Sequence, residues 1–419
     1  MDQDEGHRVI NLDLPEPLML ALRWLLLIGP ICLVVFMTFV RRTSTRAKIG
    51  GLFALLYGVP VIFITHSIAV HFGWWRYGWD VLMLDGLPVD IIIGGAILFG
   101  PGLYFTFPKV GPLMICLPII IGLHATVFSS LEPLVYAGPF WFAGVVFVFV
   151  TAHIPAIYLA NWTAEDRHLP LRCALLAIMT GGMILAVLPA LIMQAMGGEW
   201  ALSERPIWST IVAALFIGLA SVVGLSANQM LCLQGGGTPI PLDPTKRLVR
   251  SGIYAYVSNP MQLSAALIWI ILGLYLQNVW IVAAAGMAWV FVQGMVRWHH
   301  RNDLLARFPS GWPDYKRNVP EWVPCWTPWV PAPAKLKIRD ADLWPPLRRA
   351  TGLEIEIGNG PPRYELAEEP RAFTGLEARL FAMTHTNFAW AVAAHAALLV
   401  VLAVKHVSAL VSRPIKAHP

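Results

Sequence analysis

Charge is scarce in this chain. Asp, Glu, Lys and Arg make up 13% of its 419 residues, against about 25% in an ordinary soluble domain. That deficit excludes a large soluble α-protein, whose helices would need polar faces toward water. Cysteine is sparse too: Cys32, Cys116, Cys173, Cys232 and Cys325 are scattered, with no Cys-x-x-Cys pair and no Cys/His spacing. This gives a zinc or haem site no support and predicts reduced, buried structural thiols. The basic excess is only +5 and unevenly spread, so nucleic acid is not an implied partner. The first residues, MDQDEGHRVINLDLPEP, lack a basic n-region and a cleavage site, so the first apolar run is expected to be a retained span. No internal repeat of convincing length is present.

What is abundant is apolar sequence: 57% of residues are hydrophobic and Trp occurs 18 times, with a mean hydropathy of +0.62. Apolar runs lie near 18–40, 49–70, 89–107, 113–131, 136–160, 171–196, 207–231, 261–276, 280–296 and 388–411. Most approach the roughly 20 residues a helix needs to cross a bilayer. The expected fold class is therefore an all-α polytopic membrane protein with about 9–10 transmembrane helices. Gly58, Pro60, Gly100, Pro101, Pro118 and Pro155 inside these runs predict kinks.

Loop charge predicts the orientation. Arg41, Arg42, Arg46 and Lys48 follow the first run, and Lys109, Arg167, Arg172, Lys246, Arg247 and Arg250 occupy alternate later loops. The intervening loops carry Asp80, Asp85, Glu132, Glu199 and Glu204. Positive loops stay in the cytoplasm. This places the N-terminus outside and the loops around 235–324 inside, in what is expected to be a bacterial inner membrane. The last run is followed by Lys405, Arg413 and Lys416, so a kinked, interfacial or re-entrant helix is also open. Residues 324–333 (PCWTPWVPAP) read as a stiff, aromatic linker. Beyond them, 353–357 alternates apolar and acidic residues before Gly358-Asn359-Gly360 and 363–366, the pattern of a small β-hairpin in a cytosolic segment. The expected organisation is an N-terminal transmembrane domain over 1–232, a membrane domain over 233–325, a cytosolic segment over 326–386 and an apolar helix over 387–419.

The chemistry-bearing residues cluster late in the chain. Gly235-Gly236-Gly237-Thr238-Pro239 is followed by Leu248-Val249, Gly252, Tyr254, Tyr256, Asn259 and Pro260, and then by Leu304, Phe308, Tyr315, Val319 and Pro320. A Gly-rich turn lets backbone N–H groups approach a carboxylate or ribose. Tyrosines offer a π-face to a ring or a cation. Asn-Pro suits a helix start, with Asn259 as cap or ligand and Pro260 in the first turn. In order and spacing these residues resemble the isoprenylcysteine carboxyl methyltransferase and phospholipid methyltransferase family of integral membrane enzymes, over about a fifth of the chain. The resemblance implies S-adenosylmethionine as cofactor and a membrane lipid or lipophilic small molecule as methyl acceptor. It assigns Gly235, Gly237, Thr238, Gly252, Tyr254, Tyr256, Asn259 and Pro260 to cofactor binding, with no metal. His300, Arg301 and Tyr315 border the site as catalytic candidates.

The chain departs from the family pattern at three places. Ser258 stands where the family has Arg or His before Asn-Pro, and Gln262 replaces a Tyr. His300 and Arg301 fall where it has paired glutamates. Two other readings are therefore open. One is a non-catalytic scaffold or binding protein carrying a degenerate methyltransferase domain. The other is an isoprenoid or carotenoid cyclase-like enzyme. The stretch 74–90, rich in Trp and ending in Leu-Pro-Val-Asp, is similar to small membrane lycopene cyclases and carotenoid hydratases, which would make Asp85 and Asp90 acids. His66 and Asp90 are the strongest intramembrane candidates in the first half, because buried ionisable groups are costly.

Overall fold

A computed structural model of the protein describes residues 15–78, 82–124, 132–367 and 372–411. The acidic segment 1–14, Asp80, the end of the fourth apolar run, Arg413 and Lys416 lie outside them. Among the described residues, seven helices are long and apolar enough to cross a membrane, and three shorter apolar helices accompany them. The chain is an integral membrane protein, mostly helical, with a small β-containing region near its end. It divides into two compact units, Met1–Gly198 and Glu199–Pro419.

The first unit contains α1 (Glu16–Val40), α2 (Thr45–His71), the short strands β1 (Trp75–Tyr77), β2 (Met83–Leu84) and β3 (Leu87–Pro88), α3 (Asp90–Thr106), α4 (Pro112–Gly122), β4 (Val135–Ala137), α5 (Trp141–Ala164) and α6 (Leu169–Met196). Ser44 caps α2 by accepting from Ala47 N at 3.2 Å. α2 is the central helix, with Phe53, Ala54, Tyr57, Ile62 and Phe63 all buried, and it is apolar on every side, as an interior helix should be. A Cβ at Gly50 would sit 2.5 Å from the Ala160 carbonyl oxygen. Glycine there lets α2 and α5 approach closely, the small-residue logic of membrane helix packing. π-turns occur at 98–102 around Gly100-Pro101 and at 149–153 just ahead of Pro155, whereas α2 runs as one α-helix through Gly58 and Pro60. Proline lacks the N–H that would close an α-turn. Cys32 is exposed on α1, unlike the buried thiols Cys116, Cys173 and Cys232, and all five cysteines are free.

The second unit contains α7 (Ile207–Gly235), α8 (Pro260–Leu276), α9 (Val279–Arg307), α10 (Gly311–Asn318), β5 (Ala334–Ile338), β6 (Leu353–Ile357), β7 (Arg363–Glu365), β8 (Ala372–Thr374), α11 (Leu376–Met383) and α12 (Phe388–Val411). Ser264 of α8 donates to the Ala220 carbonyl of α7 at 2.8 Å. α8 and α9 form a tight hairpin: Gln277 adopts a left-handed conformation with φ 55°, and Asn278 caps α9 by accepting from Trp280 N and Ile281 N at 3.0 and 3.2 Å. The last apolar run is one helix, α12, rather than a broken segment.

The expected hairpin between 353–357 and 363–366 is corrected. The four strands lie in the order β6-β5-β7-β8, so β5 separates the two. The cause is the alternation of β5 itself. Ala334, Leu336 and Ile338 are buried while Lys335 and Lys337 face out. In parallel register those lysines stand opposite Glu354 and Glu356, at 3.8 Å each. Opposite charges across a ladder are worth a few tenths to about 1 kcal/mol each. A direct β6–β7 hairpin would forgo that match and leave the apolar face of β5 without its central place. Leu336, Tyr364, Phe373 and Phe381 of the sheet and α11 form one buried core.

Candidate functional site

The first motif is built at the C-terminal end of α7, which finishes in a π-turn over Leu231–Gly235. Gly236 then takes φ 69°, a left-handed conformation that glycine adopts freely. The chain folds back on itself: Lys246 N and Arg247 N both donate to Gly235 O, at 2.7 and 3.1 Å. A Cβ on Gly235 would meet the Thr245 side chain at 2.7 Å, and one on Gly237 would meet the Pro244 carbonyl oxygen at 2.5 Å. Thr238 Oγ1 donates to Asp243 O at 3.1 Å. The nearest demand on these glycines is thus the packing of their own loop. Gln234, just ahead of them, is buried; its Oε1 accepts from Ser251 Oγ, linking the first motif to the second.

The second motif, from Gly252 to Pro260, is clamped by the third. Ser258 N donates to Pro320 O at 2.8 Å, Cys325 N to Tyr256 O at 3.0 Å and Trp329 N to Ala255 O at 2.9 Å. Tyr315 Oη donates to Tyr254 O at 2.9 Å, and Lys316 Nζ donates to Ser258 Oγ at 3.2 Å. The three stretches singled out in the sequence are therefore neighbours. Tyr254, Tyr256 and Tyr315 are buried, and burial raises all three phenols above their usual range. They act as neutral hydroxyls. Tyr256 Oη donates to the Thr384 carbonyl at 2.8 Å and its ring meets Phe388 edge-on, so this residue ties the motif to the start of α12.

Asn259 precedes Pro260 at the start of α8, yet its side chain makes no capping bond. It is 3% exposed, and its Nδ2 has no hydrogen-bond partner. A buried amide donor left unmade costs about 1–3 kcal/mol, so Asn259 Nδ2 is a donor free to meet a ligand acceptor. Gln234 Nε2 is in the same condition. These two donors, with the buried tyrosines and the glycine turn, fit a ligand that carries a carboxylate, ribose hydroxyls and an adenine ring.

The basic border comes from α9 and α10. His300 is half-buried with its ring 4.4 Å from that of Trp312, and Arg301 is exposed. A second π-turn spans His300–Leu304; such turns interrupt helices frequently at functional sites. Glu321 supplies a carboxylate to this border. It accepts from Lys316 Nζ at 2.7 Å and lies 3.7 Å from Arg297. The Lys316 hydrogen bond, with both cations beside it, holds the Glu321 carboxyl below its ordinary range.

Sequence reasoning missed Gln234, Lys316 and Glu321, and reads His395 only as a packed or interfacial histidine. Lys316 lies within the third motif and Glu321 directly follows it, and their charge beside its aromatic residues was the available signal. His395, in α12, is fully buried, with neither ring nitrogen hydrogen-bonded. A Cβ on Gly252 would lie 2.9 Å from its Nε2, so Gly252, at φ 60°, is what admits the imidazole against the motif. Its only signal in the sequence was an ionisable group within an apolar run. In the first unit, Asp90 is paired with Arg23, and Asp85 occupies the two-residue turn between β2 and β3 with φ 49°, followed by Gly86 at φ 76°. Those are the positive φ values of a type I′ hairpin turn. Among the described residues no cluster of His, Cys, Asp and Glu could hold a metal ion.

No curated protein and no solved structure matches the chain. A family model does match: residues 208–301, from the start of α7 to the His300-Arg301 pair of α9 and including Asn259, are similar to the phospholipid methyltransferase family.

Proposed function

We propose that the protein is an S-adenosylmethionine-dependent methyltransferase acting on a lipophilic acceptor, isoprenoid or lipid-linked, at the cytoplasmic face of the membrane. The observation that carries this reading is Asn259: a buried, unpartnered donor at a helix start it does not cap, inside the segment similar to the methyltransferase family. The cofactor, when bound, supplies an electrophilic methyl group on a sulfonium. Asn259 Nδ2 and Gln234 Nε2 donate to its oxygen and nitrogen acceptors, and Tyr254 contributes an aromatic wall. Arg301 and Lys316, with Arg297 behind them, outnumber the Glu321 carboxylate in formal charge, while Asp303 is taken up by Arg307. That balance favours an acceptor with an anionic head. Catalysis by positioning and electrostatics suffices for such a group, which needs no proton removed before it attacks. The positive loop Lys246–Arg250 and the positive end of α9, Arg297–Arg307, support a cytoplasmic location for the site.

A second reading, a lipid-binding scaffold without methyl transfer, is favoured by one feature. The carboxylate pair is replaced by His300 and Arg301. Incubation of the purified protein with radiolabelled S-adenosylmethionine and a membrane lipid extract separates the two. Label appearing in the lipid fraction with wild type, and absent with Asn259→Ala, supports methyl transfer; cofactor binding without label in lipid supports the scaffold.

A further inference from the structure

The first unit contains a partly open cavity of about 200 Å³. Its wall is mostly apolar, with Leu26, Ile62, Leu98, Val145, Val148 and Phe149. A cavity of about 150 Å³ lined by such side chains takes up benzene, so a monocyclic ring fits this volume. The polar groups at its edge are few and arranged. Arg23 Nη1 donates to both Asp90 carboxylate oxygens, at 3.1 and 3.2 Å, with the two side chains only 5% and 9% exposed. Each charge is answered by the other, so the pair offers no net charge to a ligand.

His66, Trp75 and Tyr77 also border the cavity. Tyr77 Oη accepts from Trp75 Nε1 at 3.1 Å and is hydrogen-bonded to His66 Nδ1. Among the described residues the phenol has no other acceptor for its one proton. It donates that proton to Nδ1, since the opposite arrangement would leave a buried hydroxyl hydrogen unmade. His66 is therefore the neutral tautomer protonated on Nε2, which is left as a single donor on the cavity-bordering imidazole. His153, stacked on Phe99 with ring centroids 4.2 Å apart, lines the same space.

We propose that this cavity is a binding site for an uncharged lipophilic ring compound bearing a carbonyl, of the quinone or ketone kind, whose oxygen accepts from His66 Nε2. An anionic or cationic head finds no uncompensated counter-charge here, and a pure hydrocarbon leaves the imidazole donor unmet. The assignment is independent of the methyl-transfer reading.

Gly95 provides a clean blocking substitution. It lines the cavity, and a Cβ there meets nothing nearer than the Ile62 Cδ1 atom at 3.8 Å. The probe is a decyl-substituted benzoquinone, added to the full-length protein in detergent and followed by quenching of tryptophan fluorescence; decylbenzene serves as the carbonyl-free competitor. The expected result is saturable quenching by wild type, weakened tenfold or more in His66→Phe and lost in Gly95→Leu, with decylbenzene a poor competitor. Non-saturating quenching by wild type, or identical curves for wild type and His66→Phe, overturns the site. Competition by decylbenzene as strong as self-competition overturns its carbonyl specificity. If Gly95→Leu does not fold, as judged by its thermal transition, the His66→Phe comparison decides alone.

Discussion

Lys316 Nζ lies 3.2 Å from Ser258 Oγ, a contact between residues 58 positions apart in the chain, and 2.7 Å from Glu321 Oε1. Ser258 stands where the resembling family carries a cationic side chain before Asn-Pro. The Lys316 amine returns a positive charge to that place from another helix. Lys316→Met is accordingly expected to reduce methyl transfer at least tenfold, with Lys316→Arg retaining most of it. Its stability cost is small, because the pair is 21% and 31% exposed and such pairs contribute about 0–1 kcal/mol. The Glu321 carboxyl is held low in the folded protein, so its contribution is present above the unfolded value and is lost as pH falls through the folded one. Thermal melts below about pH 4.5 should show a shallower acid loss in Lys316→Met than in wild type.

Tyr315 makes a different kind of prediction. Its hydroxyl donates to the buried carbonyl of Tyr254, and removal leaves that acceptor unsatisfied at a cost of about 1–3 kcal/mol. Tyr315→Phe should lower the unfolding midpoint clearly, while turnover per folded molecule changes little. A large fall in turnover with unchanged stability would instead give the hydroxyl a role in the reaction.

His385 supplies a pH signature in the second unit. Its Nδ1 donates to Thr351 O at 3.0 Å and its Nε2 accepts from Tyr364 Oη at 2.8 Å. Burial lowers its pKa from 6.5 to about 4. Between those values the unfolded chain binds the proton and the folded protein does not, so stability rises with pH across the window and is lost as pH falls through it. Melting between pH 7 and 4 should show this slope, and His385→Gln should blunt it.

Two asparagines at helix starts give an internal contrast. Asn278 caps α9 with two hydrogen bonds, and Asn278→Ala should cost about 1 kcal/mol of stability. Asn259 makes no such bond at the start of α8, so Asn259→Ala should melt close to wild type. Equal destabilisation by the two changes would show that Asn259 serves the fold.

The helices were legible because their signal is long and strong: runs of apolar residues with few charges. The π-turns at Pro101 and ahead of Pro155 have an equally local cause, the missing N–H. The sheet was harder. The alternation of 353–357 correctly indicated a strand, but its partner is β5, whose buried Ala334, Leu336 and Ile338 and facing Lys–Glu pairs match it in parallel register, a match between segments that no local pattern displays. The candidate site divides the same way. Asn259, Tyr254 and Tyr315 could be picked out because their order and spacing resemble a known family's motif. Lys316, Glu321 and His395 take their meaning from what the fold sets beside them: Ser258, Arg297 and Gly252. The glycines were read as a ligand cradle, whereas the nearest atoms to their missing side chains belong to Pro244 and Thr245.

The most direct measurement is equilibrium binding of S-adenosylhomocysteine to the detergent-purified protein, wild type beside Asn259→Ala. The account predicts saturable binding by wild type, weakened tenfold or more by the substitution, about 1.4 kcal/mol, with the melting temperature nearly unchanged. A folded wild type that does not bind, or an Asn259→Ala variant that binds equally well, would contradict it.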